Sequence, residues 1–165
     1  MKMTYPILET ERLVMHELTL SDAEAVYNHF ANPDVVRFMD IEVCKDLSEA
    51  EEIISFHIQD SGCRYGLFHK ENGELIGTCG FHCWYQSELR AEIGFDLSPS
   101  YWGKGIVQEA LTELIPVGFA YMKLDLIEAT TELENVNSQR LLRKMGFIQA
   151  TELKDNLLYY RLKRT

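Results

Sequence analysis

Apolar positions recur with two different spacings along the chain, which predicts a mixture of helices and strands. Residues 7–18 are predicted to form the first strand. Residues 21–24 and 48–51 both read Ser-x-x-Glu, a pattern whose two side chains satisfy free backbone groups at a helix start. They predict two helices, of which the first ends before Pro33 and the second near Gln59.

The middle of the chain is predicted to be a run of antiparallel strands. Residues 65–69 and 75–81 are strand-like, and the Asn72-Gly73 pair between them is a strong signal for a hairpin turn. A third strand is predicted over residues 90–97. Three consecutive strands of this kind indicate a sheet that is mostly antiparallel.

The second half of the chain returns to an alternation of helices and strands. The predicted elements are, in order, a helix that ends near Met122, a strand over 126–131, a helix capped by Asn137-Ser138 that ends at Gly146, and a closing hairpin from 147–153 and 157–162. Pro116 lies inside the first of these helices, where its missing N–H predicts a kink or a local loosening. The whole pattern is that of a mixed α+β protein.

Composition and charge narrow the possible functions. The chain has 165 residues, 46% of them hydrophobic, which predicts one folded domain over 1–165. A net charge of -10 disfavours binding to nucleic acid, although Arg140, Arg143 and Lys144 form a locally basic stretch that leaves a small anionic ligand possible. No apolar run has the length of a membrane span or of a signal peptide, so a cytoplasmic location is predicted, with no membrane partner.

Four cysteines are present, Cys44, Cys63, Cys79 and Cys83, and they are predicted to be small buried thiols. Cys79-x-x-x-Cys83 encloses His82, a spacing that hints at metal binding. A tetrahedral site needs further ligands that the sequence does not identify, so no metal is predicted.

The segment 102–107, Trp-Gly-Lys-Gly-Ile-Val, joins a predicted strand to a predicted helix. Two glycines let the backbone approach a ligand with its N–H groups exposed, and a helix N-terminus carries about half a positive charge. A diphosphate is therefore a suitable ligand, even for an acidic protein. The dinucleotide and Walker patterns, GxGxxG and GxxxxGK[ST], are both absent from the segment.

These motifs together resemble the GNAT superfamily of N-acetyltransferases, and within it the ribosomal-protein N-terminal (RimJ/RimL-type) branch. The resemblance covers nearly the whole chain and rests on several motifs in the family's order: residues 9–13 (Glu-Thr-Glu-Arg-Leu), Asn32-Pro33, 91–95 (Ala-Glu-Ile-Gly-Phe), 101–105 (Tyr-Trp-Gly-Lys-Gly), Asn135-x-x-Ser138 and 144–147 (Lys-Met-Gly-Phe). It implies the GNAT fold, with a central twisted, mostly antiparallel sheet of about seven strands flanked by about four helices.

The resemblance also implies acetyl-CoA as cosubstrate and assigns residues that bind it. They are Phe95, Asp96, Leu97, Trp102, Gly103, Lys104, Gly105, Ile106, Val107 and Asn135. The superfamily signature [Gln/Arg]-x-x-Gly-x-[Gly/Ala] maps onto 102–107, where Trp102 and Val107 depart from it. The backbone of 95–97 is expected to pair with the pantetheine arm as an added strand would.

The same resemblance suggests the groups that act on the acceptor amine. Glu92 is the candidate base, directly or through water, and an ion-paired carboxylate on the strand is the alternative. Many members place a Tyr where this chain has Leu142, so Ser138 is the candidate donor to the sulfur, with a plain helix cap as its alternative. His57 and His82 are less favoured as bases than as structural residues.

The predicted function is transfer of an acetyl group from acetyl-CoA to a primary amine, most specifically the N-terminal α-amino group of a protein. Acetylation of a small amine, such as a polyamine, an antibiotic or an amino-acid-like compound, is the alternative, because this fold serves several substrate classes. A non-catalytic CoA-binding module is a third possibility. The oligomeric state, monomer or homodimer, is left open.

Overall fold

A computed structural model of the protein describes residues 3–165, and an eight-stranded sheet runs through this part of the chain. Its spatial order is β1-β2-β3-β4-β5-β6-β8-β7. The strands are β1 (Leu8–Glu9), β2 (Leu13–Glu17), β3 (Cys63–His69), β4 (Leu75–Tyr85), β5 (Arg90–Leu97), β6 (Leu126–Thr131), β7 (Ile148–Gln149) and β8 (Leu158–Lys163). Every neighbouring pair is antiparallel except β5 and β6.

Five α-helices accompany the sheet within the described residues: α1 (Ala23–Phe30), α2 (Pro33–Val36), α3 (Leu47–Gln59), α4 (Ile106–Pro116) and α5 (Val136–Lys144). The predicted α+β class and the mostly antiparallel sheet are confirmed. The counts of about seven strands and four helices are each one short. The predicted first strand is interrupted between β1 and β2, and α2 is a single turn that was not among the predicted helices.

Both predicted helix starts are displaced by one or two residues. Helix α3 begins at Leu47 because the Asp46 carboxylate accepts a hydrogen bond from the Glu49 N–H at 2.9 Å, so Ser48 lies inside the helix. Before α1, Thr19 and Asp22 form the capping box of a short 3-10 turn. Acidic N-caps satisfy the same free N–H groups as serine does, which is why the pattern of residue types left the start ambiguous.

The prediction that Pro116 interrupts its helix is confirmed. Helix α4 ends at Pro116, and the backbone continues as a wider π-helical turn over Val117–Tyr121. The Met122 N–H donates to the Val117 carbonyl five residues back, at 2.9 Å. Proline has no N–H for the regular ladder, and the wider turn satisfies the carbonyls that follow.

The closing hairpin is shorter than predicted. Strand β7 contains only Ile148–Gln149, and a single bridge between Lys154 and Leu157 lies beyond it. Strand β8 pairs mainly with β6, over six residue pairs. The sequence pattern identified two strands here but not which neighbour each one takes.

Strands β5 and β6 are the parallel pair, and they pair only over their first three residues. The register joins Arg90 to Leu126, Ala91 to Ile127 and Glu92 to Glu128. Beyond Glu92 the two strands have no paired residues, although β5 continues to Leu97. The β6-facing edge of β5 is therefore open to another partner over its second half.

Two apolar clusters hold these elements together. The larger one joins the sheet to α4 and α5, and in it Leu111, Leu114 and Leu142 have no exposed surface. The smaller one joins α1, α2 and α3, around Val26 and Ile54. Packing on these apolar stripes fixes the ends of α4 and α5 relative to the open half of β5.

Three of the four cysteines, Cys44, Cys63 and Cys79, are buried free thiols, as predicted. Cys83 is exposed, which corrects the prediction for that residue. No helix within residues 3–165 is both long and apolar enough to cross a membrane.

Candidate active site

A cleft of about 550 Å³ lies where β5 ends and α4 and α5 begin. One wall is formed by residues 95–97, and the floor is formed by Tyr101, Trp102, Gly103 and Gly105. The opposite wall is residues 134–138 at the start of α5, and the turn that follows α2 covers one end. The cleft thus combines an unpaired strand edge with the N-termini of two helices.

The glycine loop is held in a conformation that only glycine adopts easily. Gly103 has φ +74° and Gly105 has φ +75°, both in the left-handed region. A side chain at Gly103 would point into open space, with no atom within 4 Å, so the backbone there is accessible to a ligand. Gly105 is the N-cap of α4, so the free N–H groups of the first helical turn lie at the cleft.

Trp102 fixes the entry of this loop. Its indole Nε1–H donates to the Leu97 carbonyl at 2.8 Å, although nearly half of the side chain is exposed. The Leu97 carbonyl therefore already has a partner at the end of β5. Lys104 lies outside the cleft lining, with its Nζ 5.6 Å from the centre of the Tyr101 ring.

A network of hydrogen bonds ties the first turn of α4 to the turn between β1 and β2. Glu109 accepts from the Arg12 N–H at 2.9 Å, from Arg12 Nε at 2.8 Å and from the Thr10 hydroxyl. Burial alone would raise the pKa of Glu109, but these hydrogen bonds and the Arg12 charge lower it below its ordinary value. The ionised carboxylate thus anchors the helix whose N-terminus borders the cleft.

Helix α5 contributes Asn135 and Ser138 to the cleft. Asn135 is the N-cap, and its side-chain oxygen accepts from the Ser138 N–H at 3.4 Å. The helix thus begins two residues earlier than the predicted cap at Asn137-Ser138, which places Ser138 in its first turn. Leu142, one turn later, is fully buried in the core.

Asp96 reaches the cleft with its backbone only, because its side chain is buried behind the strand. The carboxylate contacts His29 Nε2 of α1 at 2.5 Å, and it accepts from the Thr78 N–H at 3.0 Å and from the Thr78 hydroxyl at 2.6 Å. Burial works to raise the pKa of Asp96, but these partners and the Arg64 charge lower it. The contacts attach α1 to the strand that walls the cleft.

Glu92 lies outside the lining of the cleft, at the last residue pair that β5 shares with β6. Its Oε2 is 3.6 Å from His82 Nε2, and its Oε1 is 4.0 Å from Lys154 Nζ. Phe95 is three residues further along β5, about 10 Å at the rise of a strand. Glu92 therefore lies at the point where the two strands begin to separate.

Glu128 faces Glu92 across this point and has several partners. It accepts from Arg90 at 2.9 Å, from Lys154 at 3.2 Å and from the Tyr159 hydroxyl at 2.7 Å. Burial alone would raise the pKa of Glu128, but these three hydrogen bonds lower it. Burial and the Glu128 carboxylate raise the pKa of Tyr159 to about 12, so its hydroxyl stays protonated.

The family model for the acetyltransferase (GNAT) domain matches residues 12–148, most of the chain. The chain belongs to the GNAT acetyltransferase family. Among relatives of this GNAT protein, the uncharacterized N-acetyltransferase p20 of Bacillus licheniformis is 38% identical over 152 residues, 90% of this chain and 85% of p20. The [ribosomal protein uS5]-alanine N-acetyltransferase of Escherichia coli (strain K12) is 32% identical over 107 residues, 64% of this chain and 55% of its own length.

Solved structures share the fold of this GNAT protein. RimL, a ribosomal L7/L12 alpha-N-protein acetyltransferase in complex with coenzyme A, superposes with a TM-score of 0.83 at 16% identity. The match covers 95% of this chain and 97% of RimL. The family match and the N-acetyltransferase relatives identify the protein as an N-acetyltransferase.

Most of the residues assigned from the resemblance come together in the cleft of this GNAT fold. Those that line it are Phe95, Asp96, Leu97, Trp102, Gly103, Gly105, Ile106, Val107, Asn135 and Ser138. Lys104 and Glu92 do not line it. Whether each of these residues acts on a ligand stays a prediction.

Sequence reasoning missed residues that border or support the cleft. Arg37 and Met39 cover one end after the short helix α2, whose start is capped by Asn32. Asn32-Pro33 was the visible signal, since Asn followed by Pro is typical of a helix start. His29 and Glu109 support the cleft from behind, and nothing in the local sequence distinguishes them from other polar helix residues.

The pairing of Asp96 predicts how stability depends on pH. Because the folded pKa of Asp96 is below its ordinary value of 3.8, its contribution is fully present above that value and is lost as the pH falls below it. Asp96→Asn should lower the free energy of unfolding by at least about 2 kcal/mol at pH 7. Urea denaturation between pH 7 and 3 should show this difference narrowing below pH 3.8.

Asp125→Asn is the matched control, because the Asp125 carboxylate is 64% exposed and makes a single surface ion pair with Arg164. It should change the free energy of unfolding by less than about 1 kcal/mol at every pH. Equal effects of the two substitutions would contradict the role given to Asp96.

Proposed function

We propose that this N-acetyltransferase uses acetyl-CoA as its donor and acetylates the N-terminal α-amino group of a protein. The observation that carries the proposal is the cleft, in which two left-handed glycines and the N-terminus of α4 adjoin an unpaired strand edge. The glycine loop and the helix N-terminus suit a diphosphate, and the strand edge suits an extended pantetheine arm. Coenzyme A contains both groups. The RimL structure supports this reading, because it contains coenzyme A on the same fold.

The diphosphate accepts hydrogen bonds from the backbone of residues 103–107, and the dipole of α4 adds a favourable charge. The pantetheine arm lies along β5 at Phe95 and Asp96, since the Leu97 carbonyl is already bonded to Trp102. Asn135 contacts the arm from α5 through its side-chain amide NH2, because its side-chain oxygen caps the helix. Arg140, which also lines the cleft, adds a positive charge there.

The acceptor amine approaches the thioester from the point where β5 and β6 separate. Its nitrogen forms a bond to the carbonyl carbon, the carbon–sulfur bond breaks, and the CoA thiolate leaves. Glu92 receives the amine proton through water, because it lies about 10 Å along the strand from Phe95 and the pantetheine arm. Ser138, which lines the cleft, donates a hydrogen bond to the departing sulfur. The leucine at position 142, where many family members have a tyrosine, has no side-chain donor.

The protonation of the acceptor favours an N-terminal amine. An α-amino group with a pKa near 8 is about one-tenth neutral at pH 7, whereas a lysine near 10.4 is neutral in well under one molecule per thousand. Deprotonating a lysine at pH 7 therefore costs about 3 kcal/mol more than deprotonating an α-amino group. The uS5-alanine N-acetyltransferase of Escherichia coli supports an α-amino acceptor for this chain too.

Substitution in the glycine loop tests the cofactor site. Gly103→Val and Gly105→Val should each weaken coenzyme A binding at least about tenfold, because a β-branched residue at positive φ distorts the backbone donors. Isothermal titration calorimetry measures this. Gly73→Val is the control for strain, because Gly73 has φ +71°, open space around it and no place in the cleft. Equal losses in all three variants would contradict a loop-specific role.

Substitution of the two proposed catalytic residues separates turnover from binding. Glu92→Gln should lower kcat about 10²-fold and Ser138→Ala roughly tenfold, with the coenzyme A dissociation constant unchanged. A thiol-release assay with acetyl-CoA gives kcat. Glu113→Gln on α4 and Ser48→Ala in the first turn of α3 are exposed controls and should retain full activity. Wild-type turnover in both test variants would remove these roles.

An acceptor panel tests the substrate class. A peptide with a free N-terminal alanine should be acetylated with a kcat/KM at least about 10²-fold above the same peptide blocked at its N-terminus and carrying one lysine. Polyamines and amino acids complete the panel in the thiol-release assay. Turnover confined to the small amines would refute the protein N-terminus as acceptor while leaving the acetyl-CoA site intact.

A further inference from the structure

A β-bulge interrupts the pairing of β4 and β5 close to Glu92. His82 pairs with Glu92 and Tyr85 pairs with Arg90, so two residues of β4, Cys83 and Trp84, lie opposite a single residue of β5. Cys83 has φ +48°, a left-handed conformation that is strained for a residue with a side chain. Bulges of this kind re-aim side chains and are enriched beside functional sites.

The bulge changes which face of the sheet Cys83 occupies. In a regular strand, Cys83 would point to the face opposite that of its neighbour His82. Here Trp84 packs against the large apolar cluster instead, and Cys83 is exposed on the side of His82 and Glu92. The strained backbone at Cys83 thus places its side chain beside those of His82 and Glu92.

The three side chains supply ligands of the kind that zinc prefers. One ligand atom from each of His82, Cys83 and Glu92 lies within 4.8 Å of the other two, and His82 Nε2 is 3.6 Å from Glu92 Oε2. A tetrahedral zinc ion, with bonds of about 2.0–2.3 Å, holds its ligand atoms about 3.3–3.8 Å apart. Small side-chain rotations on two rigid strands would bring all three within reach of one ion.

We propose that His82, Cys83 and Glu92 form a binding site for a divalent metal ion of the zinc type. Imidazole nitrogen, thiolate sulfur and carboxylate oxygen complete three of four tetrahedral positions and leave the fourth to water. The site differs from the Cys79-x-x-x-Cys83 spacing seen in the sequence, because Cys79 is fully buried. Glu92, the third ligand, comes from the neighbouring strand.

The ion pair of Glu92 with Lys154 leaves one carboxylate oxygen of Glu92 for the ion. The Glu92 carboxylate has Oε2 towards His82 and Oε1 towards Lys154, so one oxygen can bind the metal while the other keeps its ion pair. Lys154 is also held by Glu128 at 3.2 Å, which offsets its positive charge. Metal binding releases the thiol proton of Cys83, and the bound ion stabilises the resulting thiolate.

Cobalt(II) is the probe that tests the site, because a thiolate ligand gives it a near-ultraviolet charge-transfer band. The full-length protein, reduced with a phosphine, should bind one equivalent of Co²⁺ with this band, and Zn²⁺ should displace it. Cys83→Ser should abolish the band. Calorimetry should show zinc affinity at least about tenfold weaker in Cys83→Ser, His82→Ala and Glu92→Gln.

His16→Ala is the matched control, because His16 stacks on Phe68 away from the site, and it should bind zinc as the wild type does. Circular dichroism checks that each variant is folded. Absence of the charge-transfer band in the wild type, or its persistence in Cys83→Ser, would overturn the proposal. Zinc affinity unchanged in both His82→Ala and Glu92→Gln would do so as well.

Inhibition of acetyl transfer by zinc is a separate consequence, which rests on the proposed function because Glu92 serves both sites. The binding measurements do not depend on it. Zinc binding without inhibition would remove Glu92 as the base but leave the metal site. Acetyl transfer by a protein that binds no zinc would remove the metal site but leave the proposed function.

Discussion

The separation of two parallel strands is the constraint on which the rest of this structure depends. Strands β5 and β6 pair over only three residues and then diverge, which leaves backbone groups of β5 without a neighbouring strand. Unpaired backbone groups need partners, and an extended ligand can supply them as an added strand would. The cleft of this GNAT protein is therefore a consequence of sheet topology.

Two sets of contacts hold the elements that border the cleft in place. On one side, Glu109 accepts hydrogen bonds from Arg12 and Thr10, which attach the first turn of α4 to the edge of the sheet. On the other, buried Asp96 joins β5 to His29 of α1. Both carboxylates lie behind the cleft. An acidic protein can thus present backbone N–H groups to an anion while these two carboxylates are held by hydrogen bonds away from it.

The local features of the site were readable from residue types. Gly103 and Gly105 indicated a tight loop before a helix, and both adopt the left-handed conformation that glycine alone enters at low cost. Pro116 indicated where that helix is interrupted. Helix starts were less certain, because Asp46 and Ser48 are equally good caps and only the folded backbone selects between them.

The sequence by itself determined the α+β class, the phosphate-type loop and the family, because turns, caps and strand periodicity are properties of neighbouring residues. Only the tertiary structure decided that Glu92 lies outside the cleft and that the bulge at Cys83 brings it to His82 and Glu92. Those arrangements depend on strand register and on one extra residue in β4. Register is a relation between two strands, and an extra residue such as the one in β4 changes which side chains meet beyond it.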